Sequence, residues 1–201
     1  MSYNVRLLTT STKVIPFAKL MLDVESVRLV SGMDTSWERI EIFNSEGNLI
    51  SILERISVSP GSPAETKLAE LKWSAERSYP VNAREWIIQF LSKTKTIYNF
   101  QLLTDNITKD SWPVLGRAQN LLKDALTCII QADNEGYYNE NGDYILWQMY
   151  QDAAGKIPAA VLNENGEWIK FELRLNDEKA VEQFKQGTIP PRGFLGRLLG
   201  R

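Results

Sequence analysis

Three times along this chain an Asn-x-x-Gly turn stands between two runs rich in apolar and β-branched residues: Asn44-Ser45-Glu46-Gly47, Asn139-Glu140-Asn141-Gly142 and Asn163-Glu164-Asn165-Gly166. Each reads as a β-hairpin, with strands over 39–43 and 48–58, 135–138 and 143–150, and 159–162 and 167–175. The Asn141-Gly142 and Asn165-Gly166 pairs are the stronger signals, because both central residues of a type I′ turn need positive φ. The last of these strands alternates. Ile169, Phe171, Leu173 and Leu175 fall on one face and Trp168, Lys170, Glu172 and Arg174 on the other, the pattern of a half-buried antiparallel strand. Short hairpins share this vocabulary whatever their ancestry, so the likeness of the turns does not establish an internal duplication.

Helices are marked by their ends. Ser62-Pro63-Ala64-Glu65 supplies an N-cap serine, a proline at the first helical position and a capping-box glutamate, opening a helix to about Arg77. Asn82-Ala83-Arg84-Glu85 repeats the signal; there Val81 is placed to staple against Trp86, and Trp86, Ile87, Phe90 and Leu91 form an inward stripe. The spacing of Leu115, Ala118, Leu122, Ala125 and Ile129 predicts one long helix from Ser111 to Gln131, with Cys128 beside its buried stripe. A closing helix over 177–186 carries acids in its first turn and Gly187 just past its end. Strands at 3–10 and 96–103 and a helix at 16–24 complete the pattern. After the long helix the order is a four-strand meander and then the closing helix, so strands and helices are grouped rather than strictly alternating. The expected class is therefore α+β, a mainly antiparallel sheet built from hairpins with helices packed on it. The expected organisation is one domain over 1–187, in which the polar connector at 104–110 is the place where two subdomains would divide, and a Pro/Gly/Arg/Leu tail over 188–201.

Composition removes whole classes of chemistry. Two hundred and one residues that are 43% hydrophobic and 24% charged can bury a core unaided. There is no histidine, so Ser-His and Cys-His nucleophile pairs and His-ligated metal or haem sites are ruled out. The single cysteine, Cys128, permits no internal disulfide and has no basic neighbour to stabilise a thiolate; it reads as an inert core residue. A reducing cytoplasm is the expected setting, since the N-terminus lacks signal-peptide grammar and no apolar stretch reaches membrane-span length. Residues 131–178 carry 3 basic and 10 acidic groups, whereas 179–201 carry 5 and 1. The acidic block would repel a phosphate backbone, so no nucleic-acid partner is expected.

Catalytic motifs are sparse. Gly-x-Gly-x-x-Gly, the Walker string and Gly-x-Ser-x-Gly are all absent, and Ser92-Lys93-Thr94-Lys95 satisfies Ser-x-x-Lys with no Lys-Thr-Gly to follow. The acids Asp133, Glu135, Glu140 and Asp143 fail the order of a calcium-binding EF-hand loop. No metal and no cofactor are expected.

What remains points to binding. Trp86, Trp112 and Trp147 coincide with apolar positions and read as core. Trp73, among Lys72, Ser74 and Glu76, and Trp168, on the charged side of its strand, do not. An exposed tryptophan beside charged residues has the character of an interface anchor, although another layer of the same protein would cover it equally well. After Gly187-Thr188-Ile189-Pro190-Pro191, the tail spaces Arg192, Phe194, Leu195, Arg197, Leu198, Leu199 and Arg201 with three glycines. Its readings are a fold-back on its own domain against the acidic block, a short peptide docking to a partner, and, weakest, a membrane-surface anchor. The expected function is thus a non-catalytic cytoplasmic protein-binding module, an adaptor, assembly factor or inhibitor, that docks through Trp73, Trp168, Arg192, Phe194, Leu195, Arg197, Leu198 and Leu199. Self-association stays open. The alternative is a histidine-free enzyme using Asp133, Glu135 and Tyr137 or Tyr138. A deep pocket with carboxylates of raised pKa would favour that alternative; a surface bearing exposed tryptophan would favour binding.

Overall fold

The computed structural model describes residues 2–24, 26–149 and 153–190. In chain order these form β1 (Ser2–Thr9), α1 (Phe17–Asp23), β2 (Val27–Ser31), β3 (Arg39–Phe43), β4 (Leu49–Ser57), α2 (Pro63–Ala75), α3 (Val81–Lys93), β5 (Thr96–Leu103), α4 (Ser111–Ala125), β6 (Cys128–Ala132), β7 (Gly136–Tyr138), β8 (Tyr144–Trp147), β9 (Lys156–Leu162), β10 (Trp168–Arg174) and α5 (Glu178–Lys185). All ten strands belong to one sheet of order β10-β9-β8-β7-β6-β1-β5-β4-β3-β2, antiparallel throughout except at β8–β9. This is the α+β class, with a mainly antiparallel sheet. No helix among the described residues is long and apolar enough to cross a membrane.

The central strand explains the layering. On β1 the adjacent residues Leu7 and Leu8 are both fully buried, which requires cover on both faces of the sheet. Leu7 packs with α1 and α4 through Leu20, Leu115 and Leu122, whereas Leu8 packs with α2 and α3 through Leu68, Leu71, Ile87 and Leu91. Helix α5 covers the first face further out, where Phe184 meets Tyr144 and Leu173.

The three hairpin turns share one geometry. Asn44, Asn139 and Asn163 each accept, through Oδ1, the backbone N–H groups two and four residues on, at 2.9–3.1 Å. Gly47, Gly142 and Gly166 take φ of +81°, +81° and +78°. Asn141 and Asn165 do not take positive φ, so the type I′ expectation is corrected. The leading asparagine ties the loop and the glycine alone makes the left-handed step.

Two other expectations fail for a common reason. The long helix stops at Ala125, and Leu126 is already extended at φ −137°, ψ 137°. Residues 128–132 instead form β6, which pairs with β1 through Leu8 and Ile129. The helical spacing from Ala125 to Ile129 is coincidental; the β-branched residues Thr127, Ile129 and Ile130 suit a central strand with a waiting neighbour. Likewise the four strands after β6 are not a meander, because Tyr144 pairs with Ala159 in parallel. The hairpins β7–β8 and β9–β10 stand side by side. At α3, Asn82 lies inside the first turn and donates Nδ2 to the Leu162 carbonyl, while Val81 is exposed rather than stapled.

Cys128 therefore sits in a strand, 2% exposed, and burial pushes its thiol up to about 11. A thiol reagent at neutral pH is expected to label it roughly a hundredfold more slowly in the native protein than in denaturant. Equal labelling rates would contradict the burial.

Candidate functional site

Helix α2 turns Ala64, Leu68, Leu71 and Ala75 inward, and this places Trp73 on its outer arc, where it is 61% exposed. Arg77 lies four residues on, just past the helix end. Its Nη1 donates to the Trp73 carbonyl at 2.7 Å, and its guanidinium carbon sits 3.8 Å from the centroid of a Trp73 ring. The arginine thus satisfies an orphan carbonyl of the last helical turn and fixes the indole by cation–π contact.

This stacked pair forms a ridge whose two members each line a cleft. Trp73 lines a cleft of about 800 Å³, walled by Lys67, Glu70 and Ser74 of α2 and floored by Arg6, Gln131 and Asp133. Arg77 lines one of about 930 Å³, formed with Tyr79, Val81, Glu85, Trp147 and Glu182. Tyr79 and Val81 are 51% and 46% exposed. Behind the ridge, Gln148 Nε2 donates to Ser74 Oγ at 2.9 Å and Ser78 Oγ at 3.0 Å, and the backbone N–H of Trp147 donates to the Tyr79 carbonyl at 2.7 Å. The ridge is thereby tied to the end of β8, which limits the ordering cost on association.

The floor of the smaller cleft is polar. Arg6, almost fully buried, donates Nη1 to Gln131 Oε1 and to Asp133 Oδ1, both at 2.5 Å. Asn4 donates its backbone N–H and Nδ2 to Asp133 Oδ2 at 3.1 and 3.0 Å. Burial acts to raise the Asp133 pKa, but these hydrogen bonds and the Arg6 charge outweigh it and hold the carboxyl below the ordinary aspartate value.

The residues of the enzymatic alternative are not gathered in one pocket. Asp133 lines the smaller cleft and is held ionised. Glu135 instead accepts from Tyr3 Oη at 2.5 Å and Tyr138 Oη at 2.6 Å, and burial together with that carboxylate pushes both phenols far up. Tyr137 is buried under α2, with its Oη donating to the Leu71 carbonyl at 3.3 Å.

Of the expected contact residues, Trp73 is on the surface. Trp168 is partly buried, with its ring edge-on to Trp86 at 5.3 Å. Arg192, Phe194, Leu195, Arg197, Leu198 and Leu199 lie outside the described residues. Trp112, expected in the core, is 56% exposed, because α4 buries Ser111, Val114 and Leu115 instead. Sequence reasoning missed Arg77, Tyr79 and Val81. For Arg77 a signal existed in its four-residue spacing from Trp73, whereas Tyr79 and Val81 flank a proline and carried none.

Comparison with protein families, curated proteins and solved structures finds no match to this chain, so the functional reading stands on the geometry.

Proposed function

We propose that this protein acts by binding another protein and that the Trp73–Arg77 ridge is the centre of the contact surface. The observation that carries the reading is the exposure of an indole whose position is already fixed by a stacked guanidinium. Tryptophan, tyrosine and arginine dominate binding hot spots because they bury much area at little entropic cost, and here Arg77 stacks on Trp73 and shares a cleft with Tyr79. The clefts on either side give a partner's side chains places to enter. A fitting partner presents a pocket for the indole plane and a carboxylate or carbonyl for the Arg77 guanidinium. The ionised Asp133 gives no support to general acid chemistry, which needs a carboxyl of raised pKa.

Affinity purification with the full-length protein, followed by titration of the recovered partner, tests this. Trp73→Ala is expected to weaken binding about a hundredfold, or about 2.7 kcal/mol, with little change in melting temperature. Arg77→Lys should give an intermediate loss, since lysine keeps the charge but not the planar stack. Trp112→Ala, an exposed tryptophan on α4, serves as the control. Binding that survives Trp73→Ala, or that Trp112→Ala weakens equally, would overturn the proposal.

A further inference from the structure

The end of α5 aims the chain that follows it. Gly187 takes φ +77°, and the N–H groups of Gly187 and Thr188 return to the carbonyls of Phe184 at 2.8 Å and Gln183 at 2.9 Å, the paired bonds of a Schellman turn. The turn brings Gly187 against the start of α3. A Cβ there would stand 3.2 Å from Asn82 Oδ1 and 3.5 Å from Pro80 Cβ. The chain therefore leaves α5 beside the larger cleft, which has α5 on one wall and α3 on the other.

That cleft is lined by apolar side chains together with two carboxylates, Glu85 and Glu182, and two cations, Arg77 and Lys185. Tyr79, Val81 and Trp147 supply the apolar surface. Its two cations are engaged with rings, Arg77 with Trp73 and Lys185 with Trp147, whose centroid lies 4.9 Å from Lys185 Nζ. Glu85 and Glu182 form no ion pair among the described residues. Neither does Glu178, which lines an adjoining depression of about 380 Å³ that shares Trp147, Glu182 and Lys185 with the cleft. The residues after Pro191 offer the complement: Phe194, Leu195, Leu198 and Leu199 to cover apolar surface, and Arg192, Arg197 and Arg201 to meet three carboxylates.

We propose that residues 192–201 dock in cis in this groove, with the phenylalanine and leucines on Tyr79, Val81 and Trp147 and the arginines toward Glu85, Glu178 and Glu182. Reach is ample. Residues 191–201 span up to roughly 36 Å when extended, against about 12 Å for the length of α5. Tethering supplies an effective concentration in the millimolar range, so a modest contact suffices and a separate ligand must compete with it. The inference goes beyond partner binding at the Trp73 ridge and does not depend on it, because its test needs no partner.

Hydrogen exchange read by mass spectrometry on the full chain tests it. Amides of 193–200 and of 79–86 are expected to exchange at least about tenfold more slowly in the wild type than in the combined variant Phe194→Ser, Leu198→Ser, Leu199→Ser. Reversing the charge of the two lining carboxylates with Glu85→Lys and Glu182→Lys should release the tail equally. Cis docking requires that protection persist over a roughly hundredfold dilution. Tail amides that exchange as fast in the wild type as in the triple variant would overturn the proposal, as would protection that vanishes on dilution, which would assign the tail to a second copy. The tail variant leaves the described core untouched, so a folding defect does not confuse the result.

Discussion

Gly136→Ala is expected to be the most damaging small substitution in the protein. A Cβ at that position would lie 2.0 Å from the Leu146 carbonyl oxygen, 3.1 Å from Tyr144 Oη and 3.2 Å from the Gln148 nitrogen, and the residue sits at φ +134°. The nearest obstacle is backbone, which no rotamer change relieves. Gly136 also opens β7, pairing with Ala132 of β6 on one side and Trp147 of β8 on the other, so moving it breaks two ladders together. Backbone strain of about 1–3 kcal/mol and overpacking of about 1–3 kcal/mol add to about 4 kcal/mol, a large part of a typical domain's stability. Gly166→Ala is the comparison, because Gly166 also has positive φ but its Cβ would meet nothing within 4 Å. It should cost only about 1 kcal/mol. Urea denaturation of both variants decides the matter, and near-equal midpoints would show that the β7 strand accommodates a side chain after all.

Asp133→Ala should produce the second large loss, about 3 kcal/mol at neutral pH. The substitution leaves Arg6 almost fully buried without its counter-charge, and removing one partner of a buried pair is far more damaging than replacing both. Arg6→Met combined with Asp133→Leu should therefore recover much of the loss. The pH dependence has a definite sign. Because the folded-state pKa of Asp133 lies below its unfolded value, its contribution is present above the unfolded value, near 3.9, and is lost as pH falls through the folded value. The stability gap between wild type and Asp133→Ala should be full at pH about 7 and narrow below pH about 4. A gap that stays constant across that range would show that the ion pair is not its source.

The candidate surface was half legible. Trp73 stood out because its neighbours Lys72, Ser74 and Glu76 are polar and its angle around α2 is opposed to Leu71. Trp168 stood out on the same reasoning, yet the layer that covers it comes from α3, a segment about eighty residues away, through Trp86. Trp112 gives the reverse lesson. Its neighbours Pro113, Val114 and Leu115 are apolar, but α4 presents a different arc to the sheet. Periodicity reports which residues share a face and not which face meets another element.

By itself the sequence determined what is local: the three hairpin turns, the Ser62 cap, and the inward placing of Ile87 and Leu91 on α3. These depend on bonds and side chains a few residues apart. Only the tertiary structure decided that residues 128–132 form a strand, that β8 and β9 run parallel, and that Arg6 meets Asp133 across 127 residues of chain. Strand pairing and burial are contests between distant segments for the same neighbour, and their outcome is fixed by which surfaces the assembled sheet leaves to be covered.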